Sequence, residues 1–395
     1  MATNASRIWT FRLLLVAAVA LLVAIYYSPI WWVSLTAPNY PKEAFPDGVR
    51  IHFHMNGVFN GCRKVEKKEI VEEEVLDCVH EMDTINHYVG MYPIAAGGVV
   101  EKAFSQFLVA FLGIMVLGFM CVRPRIRAAI LAIGFGAIAV WMAMAWYGEN
   151  GIRFENKGYL EALVHALSTD VEKESEEEAL GSGQAIIEAL KKSLEQSGVE
   201  VEDKKSTPAG KMETKADLIE FLKASFEADQ ARKPAAERQE WNGSLRQVMA
   251  WHYEKTLGRY FNNPAEIRPM VEKMTLAGDV VFWGVILAMI VLVIGNLIGM
   301  AIFYWLLAIV PALLPVFFVI EYSAWLWWYG HNLNEMGAFT VKPFMPTVFG
   351  DGKVAQFTTH SYPHYGFGLM LVFSGLLIAA MLMRRRELRE AGGSV

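Results

Sequence analysis

Cysteine is scarce in this chain: there are three among 395 residues, with no CxxC pair. That argues against a cysteine-built zinc site and against c-type haem attachment. Catalytic signatures are missing too. There is no GxSxG elbow, HExxH helix or phosphate-binding loop, so the expectation is a protein that is not an enzyme. The net charge of −5 comes with no basic stripe and no interleaved aromatics, which argues against nucleic acid as a partner. Charged residues make up only 19% of the chain and are absent from long stretches, residues 280–320 among them.

Apolar side chains take the place of the missing charge. They amount to 54% of the residues and are gathered in blocks. Several blocks reach the roughly 20 residues that a helix needs to cross a hydrocarbon core. The first, RLLLVAAVALLVAIYYSPIWWVSL, has no small-residue cleavage site after it, and Tyr26, Tyr27, Trp31 and Trp32 look like an interfacial belt. It reads as an uncleaved anchor over 10–35. A hairpin of two spans over 102–147 encloses Arg123, Arg125 and Arg127, a basic turn that marks the cytoplasmic side. Residues 280–320 as one helix would measure about 60 Å, twice the core, so GNLIGM at 295–300 must turn the chain within a second hairpin over 279–321. The last span, 366–384, ends in RRRELRE, and 385–395 form a cytoplasmic tail. About six spans with both termini inside satisfy every basic anchor. The fold class is therefore membrane, mainly α, with about six transmembrane helices. A small β-containing extracytoplasmic module and a helical extracytoplasmic segment complete it.

Three segments then face the outer compartment: 36–101, 148–278 and 322–365. All nine histidines fall in them. One reading is simply that spans avoid ionisable side chains. The other is a surface of metal donors.

In 36–101, VRIHFHM alternates, with Val49, Ile51, Phe53 and Met55 on one face and Arg50, His52 and His54 on the other. Asn56-Gly57 and Asn60-Gly61 are hairpin signals. IVEEEVLDCVHEM reads as a second strand carrying Cys78, His80 and Met82 on one face, followed by His87 and Met91. Imidazole, thiol and thioether donors suit copper, Cu(I) in particular. His52, His54, Cys78, His80, Met82, His87 and Met91 are thus candidate metal ligands. The competing reading is a Cys62–Cys78 disulfide in an oxidising compartment, with the methionines packing and the histidines solvated.

Segment 148–278 is acidic and helical, with stripes Ile186, Leu190, Leu194 and Leu218, Leu222, Phe226. Residues 172–178 are an acidic run and 198–211 a polar linker. Ser244 with Gln247 forms a capping-box pattern, and Asn263-Pro264 opens a further helix. In 322–365 the aromatics suit the interface, and the Pro- and Gly-rich stretch predicts irregular backbone. His331, His360 and His364 form a candidate second donor cluster there, although aromatics and prolines favour a loop that docks a protein client. Within the spans, Pro311 and Pro315 predict a bend whose freed carbonyls must find new donors. No intramembrane ionisable pathway or internal repeat points to a transporter.

LTAPNYP at 35–41, NGVFNG at 56–61, INHYVGM at 85–91 and residues 342–370 resemble a family of multi-pass bacterial membrane proteins. That family is associated with gene clusters for nitrous oxide reductase and copper-centre maturation. The resemblance covers about a third of the chain, and 148–278 has no counterpart in it. It implies an accessory protein acting outside the bacterial cytoplasmic membrane, which agrees with the donor chemistry and its expected cofactor, copper. The alternative is a non-catalytic assembly subunit of a membrane electron-transfer complex, without metal.

Overall fold

The computed structural model describes residues 2–38, 40–42, 44–63, 76–167, 214–339, 341–354 and 356–390. Two compact units result: Met1–Asn156 with Asn242–Val395, and Lys157–Trp241. The first unit is a bundle of apolar helices with a small antiparallel sheet. Among the described residues five helices are long and apolar enough to cross a membrane: α1 (Ala2–Tyr26), α3 (Val99–Met120), α4 (Pro124–Trp146), α7 (Pro264–Ile298) and α10 (Tyr365–Glu390). The pair α8 (Ala301–Ala312) and α9 (Leu314–His331), bent by 57°, is a sixth candidate, a broken span or a re-entrant loop. The chain is a multi-pass membrane protein of mainly α class with a small β module.

These helices are apolar all round because one face packs inward and the other meets lipid. On α1, Phe11, Leu15, Ala18, Leu22 and Ile25 are buried at helical spacing, while Leu13, Val16 and Val23 are exposed. The predicted turn at 295–300 is present. Gly299 ends α7 in the left-handed conformation, and the Asn296 amide donates to Leu292 O and Phe303 O. The bend at the two prolines is present as well, and its freed Ala312 carbonyl accepts from Ser374 Oγ at 2.8 Å. One end of the bundle carries the arginines. Arg7 pairs with Glu390 at 2.8 Å, and the Arg127 guanidinium lies 4.6 Å over the Tyr304 ring.

The sheet is built from both halves of the chain, in the order β3-β2-β1-β5-β4. Its strands are β1 (Trp31–Thr36), β2 (Val49–His54), β3 (Gly57–Asn60), β4 (Gly350–Val354) and β5 (Phe357–Pro363). Trp32 faces His52 on one side and Tyr362 on the other. The first anchor thus lies earlier in the chain than 10–35. The helix stops at Tyr26, and the supposed interfacial tryptophans begin the central strand. Trp31 is buried against Phe318, Tyr322, Phe349 and Phe367, and its indole donates to Ser361 Oγ at 2.9 Å. Part of 322–365 is likewise a regular hairpin rather than irregular backbone. The β module is consequently not confined to 36–101.

A second correction concerns residues 76–82. Cys78–Tyr88 is a helix, α2, because Asp77 caps it, accepting from the amides of Val79 and His80. Its buried residues Cys78, Val79, Met82 and Ile85 repeat at helical rather than strand spacing. Asn56-Gly57 does mark a hairpin, with the turn at Met55 and Asn56. Asn60 serves differently. Its side chain donates to Leu76 O and accepts from the amide of Cys62, tying the strand end to the start of α2.

Helices α6 (Leu245–Gly258) and α7 complete this unit. Ser244 caps α6 as the sequence predicts. Helix α7 has 35 residues, about 52 Å at 1.5 Å each, so its N-terminal third extends beyond a core of roughly 30 Å. The second unit contains a helical stretch at 157–167 and α5 (Lys215–Arg232). Thr214 and Asp217 make a reciprocal capping box, and Leu218, Leu222 and Phe226 form the predicted buried stripe. The stripe at Ile186, Leu190 and Leu194, the acidic run and the linker lie outside the described residues.

Candidate functional site

The INHYVGM stretch closes the sheet-bearing end of the bundle. Gly90 has φ +84, and an added Cβ would come within 2.6 Å of Asn334 O. Only glycine accommodates both that backbone and that approach. Asn334 returns the contact by donating to Tyr92 Oη and to Glu266 at 2.8 Å. Described parts of all three segments read as outer loops therefore meet at one end, opposite Arg7 and Glu390. Asp83 of α2 is fully buried there. Its carboxyl accepts from the Ile94 amide at 2.6 Å, and burial pushes its pKa up to about 7.

This packing removes most of the expected donors. Cys78 is disulfide-bonded to Cys62, with Cα atoms 5.9 Å apart, so it is no thiolate ligand. Met82 and Met91 are 1% and 4% exposed and serve the core. Tyr260 engages both histidines of α2: its hydroxyl lies 3.4 Å from His80 Nδ1, and its ring stacks on His87 at 4.6 Å. The strand reading had aligned Cys78, His80 and Met82, but on a helix residues two apart point to different sides. Asp77, with Glu81 in the first turn, was the overlooked signal.

The proposed second cluster also separates. His331 ends α9, stacked on Trp327, and its Nδ1 is 2.8 Å from Trp327 O. His360 lies on β5, where Nδ1 donates to Asp351 at 2.6 Å and Nε2 approaches Thr36 Oγ1. Neither meets the other. His364 instead joins the first set, its ring centroid 5.1 Å from that of His52.

What the fold assembles is one face of the sheet. Arg50 lies 4.4 Å over Trp32, and Trp32 stacks on Tyr362 at 5.4 Å. His54 meets Phe59 edge-on at 4.8 Å. His52, His54 and His364 are half-buried neighbours that disfavour each other's protonation. Burial comes first, then the field of His364 and Arg50, in lowering His52 to about 4. Burial, then His52 and His364, does the same to His54, also to about 4. His364 is lowered by burial and by Arg50. All three are neutral imidazoles at neutral pH, the protonation state a metal ion requires. Among the described residues no three His, Cys, Asp or Glu side chains already converge on a common point. The donors are adjacent without forming a preassembled cage.

This face keeps three imidazoles adjacent, whereas on α2 Cys78 is in a disulfide, Met82 is in the core and His80 and His87 engage Tyr260. Comparison with protein-family models, with characterised proteins and with solved structures gave no match to the chain.

Proposed function

We propose that this chain is an accessory protein of a bacterial cytoplasmic membrane that takes up copper at its extracytoplasmic face. The arginine-rich end, holding both termini, is cytoplasmic by the distribution of positive charge. His52, His54 and His364 bind Cu(I) and release it to a client enzyme. The single observation that carries this reading is the set of neutral imidazoles on one sheet face. The resemblance to proteins of copper-centre maturation clusters agrees with it, the client being a copper or respiratory enzyme. Copper would supply no chemistry of its own here; it is cargo.

Titration of the full-length protein in detergent with Cu(I), against a competing chelator, tests the proposal. One ion bound tighter than about 1 μM is expected, weakened at least tenfold in the His52→Ala/His364→Ala variant. Weaker binding in the parent, or unchanged binding in the variant, overturns it. A second reading is an assembly subunit without metal. It is favoured by exposed apolar side chains in the last loop, among them Met336, Phe339 and Phe349. Isolation in mild detergent with a stoichiometric partner and no copper would support that reading.

A further inference from the structure

A cavity of about 560 Å3 opens between α3 and the bent pair α8–α9, roofed by the β2–β3 hairpin. Its volume lies within the usual range for small-ligand sites. The long lower part is lined by side chains such as Leu108, Leu112 and Val310. On the α9 side, Val316, Phe317 and Ile320 are 53%, 60% and 63% exposed, so this part is open sideways where lipid lies. The upper end is different in kind. Glu101 and Glu321 face it, together with Lys102, His54 and Trp325.

The two carboxylates flank Gly98: a Cβ built there would lie 3.7 Å from Glu321 Oε1 and 3.9 Å from Glu101 Oε2. Trp325 donates to Glu101 Oε1 at 3.2 Å, but the buried Glu101 Oε2 has no partner. No hydrogen bond or ion pair reaches Glu321 from the described residues. Lys102 also lines this end, but its Nζ donates to Ala95 O at 2.6 Å rather than to either carboxyl group. A buried acceptor without a donor is costly unless something supplies one. The cavity thus joins an apolar channel, open to the bilayer, to a polar end where two glutamates meet and one buried oxygen, Glu101 Oε2, lacks a donor.

We infer that this cavity binds one long-chain amphiphile whose uncharged or zwitterionic head donates N–H or O–H hydrogen bonds to Glu101 and Glu321. Aminophospholipids and prenylated quinols share that chemistry. Anionic heads are disfavoured by the carboxylates, and heads without donors leave Glu101 Oε2 unpaired. Neither carboxylate belongs to the histidine face, and His54 is the one proposed copper ligand that also lines this cavity, so the test varies the two glutamates and Leu112 and leaves the histidines intact.

Retention by the purified full-length protein tests it, read by native mass spectrometry from detergent with matched pairs added. Phosphatidylethanolamine is set against phosphatidylcholine of the same chains, and a prenylated quinol against its quinone. The first pair differs in N–H donors and the second in O–H donors, so the arms separate the two sources. In one pair the donor-bearing member should be retained about tenfold better, the discrimination expected of one charge-assisted hydrogen bond. Glu101→Gln/Glu321→Gln should abolish that preference, and Leu112→Trp, which fills the channel, should abolish retention. Equal retention within both pairs, or unchanged retention in the Leu112→Trp variant with its helical content intact, overturns the inference.

Discussion

Reducing the Cys62–Cys78 bond should loosen α2 without unfolding the bundle. The bridge closes a loop of sequence separation 16 and joins the end of β3 to the first turn of α2. Chain-entropy arguments assign such a loop about 3 kcal/mol, roughly two orders of magnitude in an opening equilibrium. Other ties survive reduction. Asn60 still donates to Leu76 O, Asp77 still caps the helix and Tyr260 still stacks on His87. The expected result is therefore local. Amide exchange across Met82–Tyr88 should accelerate by about a hundredfold in the reduced protein, while amides of α4 keep their rates. The Cys62→Ala variant should behave as the reduced protein does. An acceleration of less than about fivefold, or equal acceleration in α4, refutes the reasoning that the bridge constrains this module alone.

Asp83 makes stability depend on pH. Its folded pKa of about 7 lies above its unfolded value, so its contribution is complete below about pH 4 and is lost as pH rises through 7. His52 and His54, lowered to about 4, act in the opposite sense: their contribution is complete above about pH 6.5 and lost as pH falls toward 4. Asp83→Asn keeps the acceptor for Ile94 and should flatten the loss between pH 5 and 8, read from melting temperatures across that range. Gly90→Ala should cost more than about 1 kcal/mol, because strained φ and a clash with Asn334 O coincide, and should raise proteolysis at 332–339. Ser374→Ala leaves the Ala312 carbonyl without its donor and should cost about 1 kcal/mol in chemical denaturation.

The membrane architecture was legible in the sequence because lipid imposes strong rules on it. Charge-free length forced the turn at 295–300, and the two prolines forced the bend. The outer end was less legible. Trp31 and Trp32 have the composition of an interfacial belt, and their membership of a strand depends on β5, which no local pattern reveals. Residues 76–82 alternate over too short a window to separate strand from helix, and the Asp77 cap decided the matter. The candidate site was half visible for the same reason. His52 and His54 alternate on a readable strand, whereas His364 reaches them only through the pairing of β1 with β5.

The placement of β1 also dictates an order of assembly. Trp31 and Ser361 are 330 residues apart, yet they bond across adjacent strands. Every intervening span must be made and inserted before β1 gains its second neighbour. Until then one row of its amides and carbonyls stays open at the membrane surface, an edge ready to pair with any extended peptide nearby. A ribosome that stalls ahead of β5 would leave a product with its spans in place and that edge uncovered, a form that a surveillance protease can distinguish from the finished molecule.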